Sequence, residues 1–152
     1  MTHARLAVFA LAFCCALAAC SSEEKKPAPA AKKGDFLRLE IEGGGPKRTI
    51  AASTEGTIVE TIDGAPRRGP LTPDELKGLQ DTAAKVEWAK LPADYKTADG
   101  KAVEGGRSYR LTALLQSPPR TVAIMDRAVG EDPGVASLRD TLEALANKIG
   151  KK

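Results

Sequence analysis

The chain has 152 residues, 42% hydrophobic and 28% charged, which fits one domain of ordinary size and is too short for two. Its net charge of +3 at pH 7 arises near the N-terminus, because residues 34–152 carry 18 basic and 18 acidic side chains. The part of the chain expected to fold therefore lacks the excess positive charge of a nucleic-acid binder, and we expect no nucleic-acid partner.

An apolar leader begins the chain. After His3 and Arg5, an unbroken apolar run extends from Leu6 to Ala19. Its 14 residues are too few to span a bilayer as a helix, which needs about 20, so the run is typical of a secretory signal peptide. The segment Leu17-Ala18-Ala19-Cys20 resembles the lipobox of bacterial lipoproteins, which signal peptidase II recognises and cleaves before the cysteine.

That resemblance implies a signal peptide over residues 1–19 and a mature protein whose first residue, Cys20, carries acyl chains. Several acyl chains hold a protein on a membrane durably, whereas one binds only marginally, so membrane lipid is the implied partner of Cys20. Ser21, rather than aspartate, resembles the sorting pattern of outer-membrane lipoproteins, and we expect the protein in the cell envelope, facing the periplasm. The alternative is an ordinary signal peptide cut after Ala19, with Cys20 a plain thiol.

A polar segment follows the leader. Residues 21–33, with the sequence SSEEKKPAPAAKK, contain no side chain larger than alanine that could be buried. We therefore predict that residues 20–33 form the lipidated cysteine and a disordered tether, and that residues 34–152 form a single α+β domain.

The residue inventory excludes most catalytic sites. The only histidine and all three cysteines lie in the first twenty residues, so the mature chain has no histidine and one cysteine. Triads that depend on histidine or a free thiol, and the usual zinc sites, cannot then be built. The carboxylate pairs that remain lie at predicted helix starts or on helix surfaces, where the helix dipole or solvent explains them. We predict no catalytic residue, no metal site, no cofactor and no enzymatic activity.

The first half of the domain reads as strands. Alternation over residues 36–42 places Leu37, Leu39 and Ile41 on one face of a strand, and residues 47–53 and 56–62 read as a hairpin. Residues 63–70 are predicted to be a loop with Arg67 and Arg68 at an exposed basic tip. This is the candidate partner-contact loop; the alternative is a loop that is merely solvated.

A helix start follows at Leu71-Thr72-Pro73-Asp74-Glu75-Leu76, where Thr72 can cap and Glu75 can complete a capping box. The pattern predicts a helix to about residues 85–87, a polar loop over 93–106, strands over 107–116 and 120–126, and a final helix from Pro133. In the first of these strands Leu115 is expected to face inward. The order β-β-β-α-β-β-α predicts an antiparallel sheet of about five strands with two helices on one face.

The order of elements resembles the emfourin family. The features that carry the resemblance are a first strand ending in Ile41-Glu42-Gly43-Gly44, the Leu71–Leu76 helix start, the strand segments Ser108–Leu111 and Thr121–Ile124, and the helix from Ser137. Emfourins are small bacterial inhibitors of thermolysin-like metalloproteases, so the resemblance implies a cystatin-like fold and a secreted or envelope protease as partner. The lipobox and tether depart from the family, and the resemblance assigns an inhibitory loop to no particular residue.

Two functions follow as expectations. The first is a membrane-tethered protein-binding module, in the form of an emfourin-like protease inhibitor. The second is an envelope lipoprotein with a structural, assembly or small-ligand-binding role, which requires only the anchor at Cys20.

Overall fold

The computed structural model describes residues 34–149, in which seven strands and two helices follow one another. In chain order they are β1 (Asp35–Glu42), β2 (Arg48–Ser53), β3 (Thr57–Ile62), β4 (Ala65–Pro70), α1 (Pro73–Lys85), β5 (Asp94–Tyr95), β6 (Ser108–Ala113), β7 (Arg120–Met125) and α2 (Pro133–Ile149). The predicted signal peptide, the lipobox with Cys20, and the tether lie outside the described residues.

All seven strands belong to one sheet, with the order β4-β3-β2-β1-β6-β7-β5. Neighbouring strands are antiparallel except β5 and β7, which are parallel, so the sheet is mixed. The α+β class predicted from the sequence is confirmed, whereas the prediction of about five strands, all antiparallel, is wrong. The two additional strands, β4 and β5, occupy segments that were predicted to be loops.

The sequences of β4 and β5 lack the alternation of apolar and polar residues that is typical of strands. The sequence of β4, APRRGP, has no apolar alternation, and β5 is only two residues long, too short to show a period. One local signal for β4 did exist: Asp63-Gly64 connects β3 to β4, with φ values of 47° and 89°. A two-residue Asp-Gly turn with two positive φ angles is the type I′ turn favoured by β-hairpins.

The core lies on one face of the sheet, where β1 is the central strand. Leu39 on β1, Ile50 on β2 and Leu111 on β6 pair in register and are fully buried. Helix α2 packs on this face against β2, β3 and β4 and contributes Leu138 and Leu142, which are also fully buried, and α1 packs against α2. Within residues 34–149, no helix is long and apolar enough to cross a membrane.

Helix α1 begins as the sequence predicts. Thr72 is the N-cap: its hydroxyl accepts a hydrogen bond from the Glu75 amide at 3.2 Å, and the Glu75 carboxylate accepts one from the Thr72 amide at 2.8 Å. These two bonds form the capping box and satisfy backbone donors that the first turn leaves without partners.

Strand β6 ends earlier than predicted. It stops at Ala113, and Leu115, which was expected to face inward, is 67% exposed in the turn to β7. The backbone leaves the β1 ladder at this point, where the Leu114 amide donates to the Phe36 carbonyl at the start of β1. Alternation that continues past the last paired residue does not predict burial, because Leu115 lies in the turn and no longer faces the core.

Candidate functional site

The two arginines of the predicted contact loop lie instead on β4, the edge strand of the sheet. Arg67 pairs with Glu60 and Arg68 with Val59 on β3. Because successive side chains of a strand point to opposite faces, Arg67 lies on the helix-covered face and Arg68 on the other. The prediction of a loop is wrong, since the Asp63-Gly64 turn continues the hairpin ladder through both residues. Their role in contacting a partner stays a prediction.

A buried carboxylate holds Arg67 in place. Glu60 is 1% exposed and accepts from Arg48 Nε at 2.8 Å, while its second oxygen lies 3.0 Å from an Arg67 terminal nitrogen. Arg48 in turn donates to the Asn147 side chain on α2 at 3.0 Å. A buried charge needs such partners, and two arginines supply them to Glu60. Arg67, whose side chain is 45% exposed, still presents donors to solvent.

A groove lies beside Arg67, between strand β4, the start of α1 and the end of α2. Its volume is about 400 Å³. We call it the β4–α2 groove; it is lined by Ile58, Arg67, Arg68, Gly69, Pro70, Leu71, Glu75, Leu145, Lys148 and Ile149. The floor of the groove is apolar, and the charged side chains lie among the residues of its rim.

Strand and helix meet closely at the end of this groove. A Cβ atom added to Gly69 would lie 2.7 Å from the Ile149 side chain, so only glycine allows α2 to approach β4 this closely. The last turn of α2 is therefore packed directly on the edge strand, which places Lys148 next to the groove.

An ion pair links the two helices across the rim. Lys148 Nζ on α2 lies 2.7 Å from Glu75 Oε1 on α1. This hydrogen bond, with those to the backbone and hydroxyl of Thr72, lowers the pKa of Glu75 to about 2. Glu75 is thus ionised throughout the neutral range. The sequence predicted its capping role, whereas its bond to Lys148 depends on how the helices pack and had no local signal.

The outer backbone edge of β4 carries few hydrogen-bond donors. Across a two-residue turn, Ile62 and Ala65 form a hydrogen-bonded pair, so the backbone groups of residues 66, 68 and 70 point away from β3. Residues 66 and 70 are proline, which has no N–H, and Arg68 alone contributes a donor between them. Leu71 fits this alternation, because its amide points inward to the Gly56 carbonyl.

The carboxylate pair Glu131 and Asp132 takes part in structural contacts. Glu131 binds the Arg139 guanidinium through both oxygens, at 2.9 and 2.7 Å, and Asp132 caps α2 by accepting from the Gly134 and Val135 amides. Among residues 34–149, no three acidic, histidine or cysteine side chains are grouped so that they could hold a metal ion.

Comparisons of this chain with protein-family models, with curated proteins and with solved structures found no match.

Proposed function

We propose that the protein is a lipoprotein of the cell envelope, anchored in the outer membrane and facing the periplasm, whose domain binds another protein. Its specific form would be an emfourin-like inhibitor of thermolysin-like metalloproteases with a cystatin-like domain. The observation that carries the proposal is the segment Leu17-Ala18-Ala19-Cys20 at the end of a 14-residue apolar run, followed by the polar sequence of residues 21–33 and then the strands and helices of residues 34–149.

Support for a binding role comes from the surface of the domain. The edge strand β4 is held by the ion pairs of the buried Glu60, and it presents Arg67 beside the β4–α2 groove and Arg68 on the opposite face. A protein inhibitor requires a rigid surface of complementary shape, commonly about 800 Å² per partner, and no catalytic groups of its own.

The anchor is tested by changing Cys20 to alanine. We expect the variant to accumulate as an unprocessed precursor without acyl chains, because the lipid is attached through the Cys20 sulfur. The measurement is the intact mass of the protein extracted from membranes. Cys15→Ala, in the apolar run, is the matched control and should be processed normally. Lipid-modified protein of mature mass from the Cys20 variant would contradict the anchor.

The inhibitor role is tested by titrating a thermolysin-like protease with the full chain in detergent. We expect the residual protease activity to fall as the concentration of the chain increases. If binding is tight, the activity should reach a plateau near an equimolar ratio of chain to protease. A subtilisin-like serine protease serves as the control and should keep its activity. If the metalloprotease is unaffected at a large molar excess, the inhibitor role fails.

One observation favours a second function, in which the lipid-anchored protein binds a small ligand. The β4–α2 groove, at about 400 Å³, falls within the range of about 300–1,000 Å³ usual for small-molecule sites. The protein would then be an envelope lipoprotein that binds a small amphiphile, or that supports envelope assembly without inhibiting a protease.

A further inference from the structure

The β4–α2 groove combines an apolar floor with a positively charged rim. Ile58 on β3 and Leu145 on α2 belong to the hydrophobic core and reach the groove, where Ile149 also packs. Two cations, Arg67 and Lys148, line it on the helix-covered face against one carboxylate, Glu75; Arg68 also lines it, but its side chain lies on the opposite face of β4. A ligand for this surface should therefore pair an apolar group with a negative charge.

The cations of the rim keep donors for such a charge. Lys148 is 63% exposed and gives one of its three N–H groups to Glu75, and Arg67 is 45% exposed beside Glu60. An incoming carboxylate can bind these groups without displacing Glu60 or Glu75.

The backbone beside the groove favours recognition through side chains. Pro66 and Pro70 leave only the Arg68 amide as an outward donor along β4. A partner strand that added to the sheet at β4 could accept only one backbone hydrogen bond, from the Arg68 amide. An edge without proline would donate three, from residues 66, 68 and 70. A partner segment lying at this edge must instead gain its affinity from an apolar side chain in the groove and from charge.

We propose that the β4–α2 groove binds a segment of a partner protein in which a large apolar side chain stands next to a carboxylate. The apolar side chain enters the space above Ile58 and Leu145, and the carboxylate pairs with Lys148 and Arg67. This inference rests on the proposed function as a protein-binding module and specifies the chemistry of the segment that is bound.

The test uses the full chain in detergent micelles and two blocked tetrapeptides, one alternating leucine with aspartate and the other leucine with asparagine. Amide signals of the isotope-labelled chain are followed by NMR during each titration. We expect the leucine–aspartate peptide to shift signals of Arg68, Gly69 and Ile149 in a saturable way. The asparagine peptide should bind about tenfold more weakly, because it lacks charge-assisted hydrogen bonds.

Variants separate the groove from the rest of the surface. Lys148→Met should weaken binding of the aspartate peptide about tenfold and leave signals far from the groove unchanged. Lys77→Met, which removes an exposed cation on α1 that pairs with Asp81, is the matched control and should bind like the unmodified chain. If Lys148→Met does not fold, Lys148→Gln gives the same comparison, because it removes the charge and keeps a polar side chain at a position that is 63% exposed.

Four outcomes would overturn the proposal: no saturable shift, equal binding of the two peptides, binding of decanoate but not of the peptides, or shifts that follow protein concentration alone. Decanoate binding would identify a lipid site, and the last outcome a second copy of the chain. The protease titration is independent of these measurements. Inhibition without peptide binding would remove this inference only, and peptide binding without inhibition would remove the inhibitor role only.

Discussion

Replacing Glu60 with alanine is expected to lower the free energy of unfolding by about 3–5 kcal/mol, the usual cost of removing one partner from a buried ion pair. Glu60 is 1% exposed and is bound by Arg48 and Arg67. Its removal leaves Arg48, whose side chain is 16% exposed, without its principal counter-charge under α2. Thermal unfolding of the chain from Ser21 onward should shift down by about 12 °C or more.

A matched control for this variant is Glu87→Ala. Glu87 pairs with Lys90 at 2.7 Å, but its side chain is 68% exposed, and an exposed pair contributes about 0–1 kcal/mol. A triple change of Glu60 to leucine with Arg48 and Arg67 to methionine should recover much of the loss, because it leaves no buried charge unpaired. If Glu60→Ala unfolds within 1 kcal/mol of the unmodified chain, the proposed cost of the buried charge is wrong.

Gly43→Ala is the second substitution with a large expected effect, a loss of about 2–5 kcal/mol. Gly43 follows β1 with a φ of +83°, and a Cβ atom there would lie 2.4 Å from the Gly106 carbonyl oxygen. Alanine therefore destabilises the fold for two reasons. It must adopt a left-handed backbone conformation that L-residues disfavour, and its Cβ atom clashes with the backbone that leads into β6. Urea unfolding measures the combined loss.

Gly64→Ala separates the two costs. Gly64 has a similar φ of +89° in the β3–β4 turn, but a Cβ atom there would meet nothing within 4 Å. This variant should lose only the conformational part, about 1 kcal/mol. Equal losses for Gly43→Ala and Gly64→Ala would show that the close approach to Gly106 contributes nothing.

Local patterns predicted the elements that carry a clear period or cap. Alternation located β1 and β7, and the Thr72–Glu75 capping box located the start of α1. Strand β4 has no alternation because it is an edge whose side chains are mostly exposed, and its identity depends on the turn before it. The Asp63-Gly64 pair was a local signal for that hairpin, but the second strand-like run that such a signal normally needs is absent from the sequence of β4.

The candidate site could not be predicted as a unit. Arg67 was selected because it is basic and flanked by turn residues, but its partner Glu60 is defined only by the β3–β4 register. Lys148 lies 73 residues from Glu75 along the chain, and no local pattern relates them. The β4–α2 groove exists because two helix ends and one strand edge meet, which is a property of tertiary packing.

The prolines of β4 have a second consequence for a protein that is anchored to a membrane surface. On the proposed lipid anchor, neighbouring copies share two dimensions and meet far more often than in free solution, so an open strand edge would favour lateral chains of molecules joined sheet to sheet. Pro66 and Pro70 interrupt one edge, and the two-residue β5 shortens the other. On the proposed anchor, these two features would disfavour sheet-to-sheet joining of crowded copies and leave the side chains of the domain available to the proposed partner protein.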